Sequence, residues 1–249
     1  MHELREDQLK RYRRQIILKE VGEEGQKKIL ESKVLIIGVG GLGSPIALYL
    51  AAAGVGKLGL VDSDKVDLSN LQRQILHSMD TIGVDKVKSA KQTLEKNNPD
   101  ISINIYCCDL NEENIKDIMN DYDIVVNAVD NVETRYIVNK ACFVYKKVLV
   151  EGAIQNFEGY VMTIIPSETA CYECVFPREE QEDVSHGEIG VIGALPGVIG
   201  SLQAMEVLKC ILNAGKLITN KLLCYSALTA SFREFEVEKN ENCKVCGHK

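Results

Sequence analysis

The chain has 249 residues, of which 45% are hydrophobic and 26% charged, as in an ordinary soluble protein able to bury a stable core unaided. A net charge of −7 argues against nucleic acid as the main partner, because a phosphate-backbone binder carries a basic excess. The start, MHELREDQLKRYRRQ, is too polar for a secretory h-region, so a cytoplasmic location is expected; there the nine cysteines favour metal or redox chemistry over disulfides. The first 32 residues are predicted helical, with Leu9, Tyr12, Ile16 and Ile17 as a broken apolar stripe. Val34 to Ile37 (VLII) is a continuous apolar run, the mark of a strand buried on both faces. A Gly-rich turn leads into a helix over Pro45 to Ala53, with proline in a tolerated first-turn position. Lys57 to Val61 is the second predicted strand. A helix near Asp85 to Glu95 stops at Asn97-Asn98-Pro99, and Ile101 to Tyr106 is the third strand. A helix over Glu112 to Met119, a strand over Asp123 to Ala128, a helix over Thr134 to Tyr145 and a strand over Val148 to Val150 complete the alternation.

Strands alternating with helices predict a doubly wound parallel sheet for residues 1–150. Residues 151–249 differ. Tyr160 to Ile165, Leu222 to Tyr225 and Phe232 to Val237 are strand-like without helices regularly between them, so they are expected to add antiparallel strands to the same sheet. Ile199 to Leu212 is a predicted helix, and Cys174 to Gly187, containing EEQED, a mobile charged loop. The expected fold is therefore α/β: a Rossmann-like, mostly parallel sheet extended by antiparallel strands within one domain, 1–249. Two uncharged runs, Val34 to Gly56 and Ile189 to Met205, are interrupted by glycine and proline, and neither is expected to be a membrane anchor.

Gly38-Val39-Gly40-Gly41-Leu42-Gly43 fits GxGxxG between a buried strand and a helix, the context this motif requires. Glycines let the backbone approach a phosphate, and the helix N-terminus supplies N–H donors. Asp62 closes the second strand 24 residues after Gly38, where a carboxylate can accept hydrogen bonds from ribose. The motif alone does not separate NAD, FAD and ATP. Arg73 and Lys86, just past the same strand, favour ATP: a triphosphate attacked at its α-phosphorus needs cations for the departing pyrophosphate. Asp130, after the fourth strand, is suited to Mg2+ bridging the phosphates, or with Asn131 to capping the next helix.

Two CxxC pairs, Cys171/Cys174 and Cys243/Cys246, supply four thiolates for a closed tetrahedral zinc site. With 68 residues between the pairs, the metal would clip the C-terminal tail onto the body. The alternative is two unrelated redox motifs, though neither pair sits at a thioredoxin-like strand–helix turn. Cys107, Cys108, Cys142, Cys210 and Cys224 lie in apolar stretches and are expected to pack as small hydrophobes.

The strings GVGGLGS at 38–44, DSDKVDLSNLQRQ at 62–74, Lys86 after Gly83, and VDNVETR at 129–135 resemble the MoeB/ThiF/HesA adenylyltransferases, relatives of the ubiquitin-activating enzymes. RYRRQIIL at 11–18, YECVFP at 172–177 and GVIGSLQAMEVLK at 197–209 extend the likeness over nearly the whole chain, toward the MoeB type in particular. The resemblance implies ATP-dependent adenylation of the terminal Gly-Gly carboxylate of a small ubiquitin-like sulfur carrier, of the molybdopterin or thiamine kind, with release of pyrophosphate. It places Gly41 at the phosphates, Asp62 at ribose, Arg73 and Lys86 on the triphosphate, and Mg2+ at Asp130. Asn70 and Gln74 become polar contacts in that pocket, and Arg14 reaches the partner subunit's nucleotide site in a homodimer. The four-cysteine zinc site is common in the family. Adenylation needs no general base, because the attacking carboxylate is already ionised at neutral pH.

In one respect the chain departs from the family. Some members carry a loop cysteine after the first CxxC that takes the activated carrier covalently; Val175 to Gly190 contains none, and His186 stands about where it would be. The expected product is a free carrier-adenylate attacked by a separate sulfur donor. Three rival readings stay open: an NAD-dependent oxidoreductase on the same fold, a non-catalytic subunit of an activating-enzyme pair, and adenylation of a peptide or tRNA-borne carboxylate.

Overall fold

The computed structural model describes residues 3–178 and 190–247. Three short helices, α1 (Glu6–Arg11), α2 (Arg13–Ile16) and α3 (Gly22–Glu31), form the N-terminal part. The predicted continuous helix is thus broken at Tyr12 and again over residues 17–21. At the first break Tyr12 leaves helical geometry (φ −95°, ψ 9°), and its side chain is fully buried and accepts a hydrogen bond from Asn98 Nδ2 (2.9 Å).

Among the described residues eight strands form one sheet in the order β3-β2-β1-β4-β5-β6-β7-β8. β1 (Lys33–Ile37), β2 (Lys57–Val61), β3 (Ser102–Tyr106), β4 (Ile124–Asn127) and β5 (Val148–Gln155) are parallel; β6 (Glu158–Ile164), β7 (Lys221–Ser226) and β8 (Ser231–Glu236) pair antiparallel, as expected. The apolar run of β1 serves two cores at once, because side chains alternate across a strand. Val34 and Ile36 pack on one face with Ile46 and Leu50 of α4 (Gly43–Ala53); Leu35 and Ile37 pack on the other with Tyr136 and Val138 of α7 (Val132–Val144). Such two-sided burial demands helices on both faces. α5 (Lys86–Asn97) and α9 (Leu195–Leu212) join α3 and α4 on the first face; α6 (Ile115–Met119) joins α7 on the second.

β5 runs five residues beyond its predicted end at Val150, and an unpredicted short helix α8 spans Tyr172–Val175. α9 begins at Leu195, four residues before its predicted start, with Pro196 in its first turn. By length and composition α9 alone among the described residues suits a membrane crossing. Its packing is that of a core helix, laid along α4, β5 and β6. It also carries the buried side chains Gln203 and Glu206. Glu206 accepts from Thr163 Oγ1 (2.6 Å) and from the Ile218 amide (2.7 Å).

The strand order reverses between β1 and β4, whose C-terminal ends lie side by side at Ile37 and Asn127. In open parallel sheets this is where ligands bind.

Candidate nucleotide site and metal centre

The turn after β1 is shaped by two contacts that only glycine permits. Gly38 has φ +89°, and a Cβ there would lie 2.7 Å from the Ala128 carbonyl oxygen; a Cβ on Gly43 would lie 2.0 Å from the Gly38 oxygen. The loop is thus pressed against the end of β4 on one side and closed onto the start of α4 on the other. α4 then points its N-terminus at the loop, the arrangement that receives a phosphate.

Asp62 and His77 hold this loop from opposite sides. Asp62 Oδ2 accepts the Val39 amide (2.9 Å) and its Oδ1 the Asp64 amide (2.9 Å). Burial raises the Asp62 pKa, and the Lys86 charge with these two N–H donors opposes the rise. His77, which sequence reasoning missed, is buried, with Nε2 3.1 Å from the Val39 carbonyl and Nδ1 2.9 Å from Ser89 Oγ. The signal for it was its place three residues after Gln74 in SNLQRQILH.

Burial lowers the His77 pKa below 6.5. A base with a depressed folded-state pKa gives its full stability above the unfolded value and loses it as pH falls through the folded one. His77→Gln keeps an amide near Val39 but cannot charge. As pH drops below about 6.5, Tm should therefore fall less steeply for His77→Gln than for the native chain. Parallel slopes would show that His77 does not set the acid limb.

Gln74 and Arg73 lie over the loop: a Cβ on Gly40 would be 3.4 Å from Gln74 Nε2, and one on Gly41 3.7 Å from the Arg73 stem. Among the described residues, Gln74 Oε1 is buried without a hydrogen bond, whereas the Arg73 guanidinium donates only to the Ser69 carbonyl (3.1 Å). Asn70 is engaged locally, its Oδ1 accepting the Asp67 amide (3.2 Å). Lys86 is buried and donates to Asp64 Oδ2 at 2.7 Å, a pairing not anticipated from sequence.

Asn131, not Asp130, caps α7, its Oδ1 accepting the Thr134 amide (2.8 Å). Asp130 is exposed on the corner between β4 and α7, next to the Ala128–Val129 backbone that abuts Gly38. That corner is braced from beneath by a second group that sequence reading missed. Buried Arg135 donates to the Val129 carbonyl, to the Gly152 carbonyl (2.9 Å) and to the fully buried Glu151. Asn127 Nδ2 donates to the other Glu151 oxygen (2.7 Å), and Gln203 Nε2 to the Asn127 carbonyl (2.9 Å). The buried guanidinium is paired with Glu151 and spends three of its donors on this corner, so Arg135 is a brace and adds no free cation to the crevice. Arg14 is exposed on α2, and its side chain makes no hydrogen bond among the described residues.

The two CxxC pairs converge. The four sulfurs of Cys171, Cys174, Cys243 and Cys246 lie within 4.8 Å of one another. Three pairs measure 3.9, 3.6 and 3.3 Å. Thiolates at 2.3 Å from a tetrahedral zinc would be about 3.8 Å apart, so the cluster fits such a site. Two N–H groups point at its sulfurs, Asn139 Nδ2 at Cys171 (3.6 Å) and the Asn240 amide at Cys174 (3.4 Å). Coupling within the cluster pushes the Cys171 and Cys246 thiols up, whereas donation from Cys171 and from the Asn240 amide draws Cys174 down toward the thiolate. This suits a thiolate ligand and its orienting outer shell. Separate redox motifs would not bring residues 72 apart into contact. Of the remaining cysteines, Cys142 is buried as expected, but Cys107 is exposed past the end of β3 and does not pack as a hydrophobe. His186 lies outside the described residues.

A sulfur carrier protein adenylyltransferase from Thermus thermophilus is 44% identical over 97% of this chain and 92% of its own. An adenylyltransferase and sulfurtransferase MOCS3 from Culex quinquefasciatus is 43% identical over 98% of this chain, which spans 56% of that protein's length. A crystal structure of E. coli MccB with ATP superposes with a TM-score of 0.84 at 26% identity, covering 95% of this chain and 74% of that one. The ThiF family matches residues 12–245, and the chain belongs to it.

Proposed function

We propose that this adenylyltransferase activates the C-terminal Gly-Gly carboxylate of a small ubiquitin-like sulfur carrier with ATP, releasing pyrophosphate. The supporting observation is the convergence of the Gly38–Gly43 loop, Asp62, Arg73, Gln74 and Lys86 on the crevice where the strand order reverses, beside the corner bearing Asp130. In this reading the loop amides and Lys86 take the phosphates, Asp62 the ribose, and Asn70 and Gln74 lie alongside. Arg73 meets the charge that grows on the leaving pyrophosphate. Asp130 would hold Mg2+, which lowers the repulsion between two anions that must meet at the α-phosphorus.

Arg14 acts across a homodimer, completing the partner's site. Exposed Ile17 and Leu18 beyond α2, Tyr49 on α4 and Met205 on α9 offer apolar surface for that contact. Residues 151–249 receive the carrier and hold the structural zinc; residues 1–150 receive the nucleotide; the two form one domain in the cytoplasm. The carrier-adenylate leaves without covalent capture, since residues 175–190 contain no cysteine, and a separate sulfur donor attacks it.

ATP–pyrophosphate exchange with a panel of purified carriers ending in Gly-Gly is the test. A cognate carrier should stimulate exchange strongly, and the same carrier lacking its final glycine should not. Exchange that ignores every carrier but responds to a short peptide would move the substrate to the peptide class.

A further inference from the structure

Lys86 opens α5, where the positive end of the helix dipole disfavours a cation, and its side chain is only 8% exposed. A buried ammonium needs an anion or strong acceptors. Its one ion-pair partner among the described residues is Asp64, at 2.7 Å, whose side chain is 67% exposed. The pair is therefore lopsided: the lysine cannot leave without losing its packing, whereas the carboxylate is already mostly hydrated.

Nor does the surrounding backbone depend on the Asp64 side chain. The Lys86 amide donates to the Asp64 carbonyl (2.8 Å), and Lys65 and Asp85 form a β-bridge. Asp62 accepts both the Val39 amide of the phosphate loop and the Asp64 amide, so the Lys86–Asp64 pair lies beside that loop. A triphosphate arriving there is drawn to the ammonium and repelled by the Asp64 carboxylate.

We propose that Asp64 is an anionic placeholder: without nucleotide it holds the Lys86 ammonium in its buried pose, and the triphosphate takes its place while Asp64 turns to water. Resting on the assignment of Lys86 to the triphosphate, the proposal makes Asp64 a positioning residue that sets nucleotide affinity. The sign of the effect is fixed by linkage. A carboxylate that stabilises only the nucleotide-free state weakens ATP binding by that same amount, so its removal must tighten binding.

Titration of ATP into the full chain with Mg2+ present, alongside thermal melts with and without saturating ATP, tests this on the native chain, Asp64→Asn and Lys86→Met. Asp64→Asn should bind ATP about fivefold tighter, the worth of one partly exposed ion pair. It should melt lower without ATP and unchanged with it. Asp64→Glu, which can rebuild the pair, should restore the native affinity. Unchanged or weaker binding by Asp64→Asn, or equal loss of Tm in both states, would overturn the placeholder and leave an ordinary structural pair. Native ATP affinity in Lys86→Met would remove the underlying assignment as well, whatever Asp64→Asn does.

Discussion

Arg73→Ala is expected to slow carrier-dependent ATP–pyrophosphate exchange by about 100- to 1000-fold, the usual cost of one donor aimed at transition-state charge. The structure makes this a clean deletion. Among the described residues the guanidinium holds one carbonyl, Ser69, and its stem rests on the Gly41 turn without entering the core. Tm and zinc content should stay at native levels, so a rate loss cannot be ascribed to unfolding. Arg73→Lys should recover only part of the rate, because an ammonium supplies a point charge without the two-pronged fork. Exchange within a few-fold of native in Arg73→Ala would remove Arg73 from the reaction.

Cys246→Ser is expected to lower Tm by roughly 8–16 °C. A tie closing a loop of 68 residues between Cys174 and Cys243 is worth about 4 kcal/mol in loop entropy, and about 2–4 °C attend each kcal/mol in a chain this long. Cys246 is buried in the second core with Cys171 and Tyr172, so the tail it anchors loses packing as well. A chelator strong enough to strip the metal should reproduce the loss in the native chain and add nothing to Cys246→Ser. Differential scanning calorimetry paired with elemental analysis for zinc reads both. A native Tm in the metal-free chain would show that the four sulfurs do not clip the tail.

What could be read from sequence follows from whether the determining contacts were local. β1 and β4 were legible because strands buried on two faces are apolar throughout. β5 was not legible past Val150, because Glu151 breaks the apolar run; the carboxylate is tolerated there by Arg135 and Asn127, 16 and 24 residues away. That the glycine turn, Asp62, Arg73 and Gln74 meet at one sheet edge was legible, because each follows a predicted strand end at short spacing. The partners of Lys86 and His77 were not, since both depend on how the segment after β2 folds back on the loop after β1. Cys107 misled in the opposite direction: it continues the β3 string in sequence, but the strand has already ended at Tyr106.

In the proposed reaction a carrier carboxylate attacks the α-phosphorus of ATP held in this crevice. Carrier labelled with oxygen-18 in its terminal carboxylate, turned over with ATP and then cleaved by a nucleophile at the carbonyl carbon, follows the bond directly. Attack at the α-phosphorus gives AMP bearing one labelled oxygen and unlabelled pyrophosphate. Label in inorganic phosphate, with ADP as the nucleotide product, would place the attack at the γ-phosphorus and contradict it.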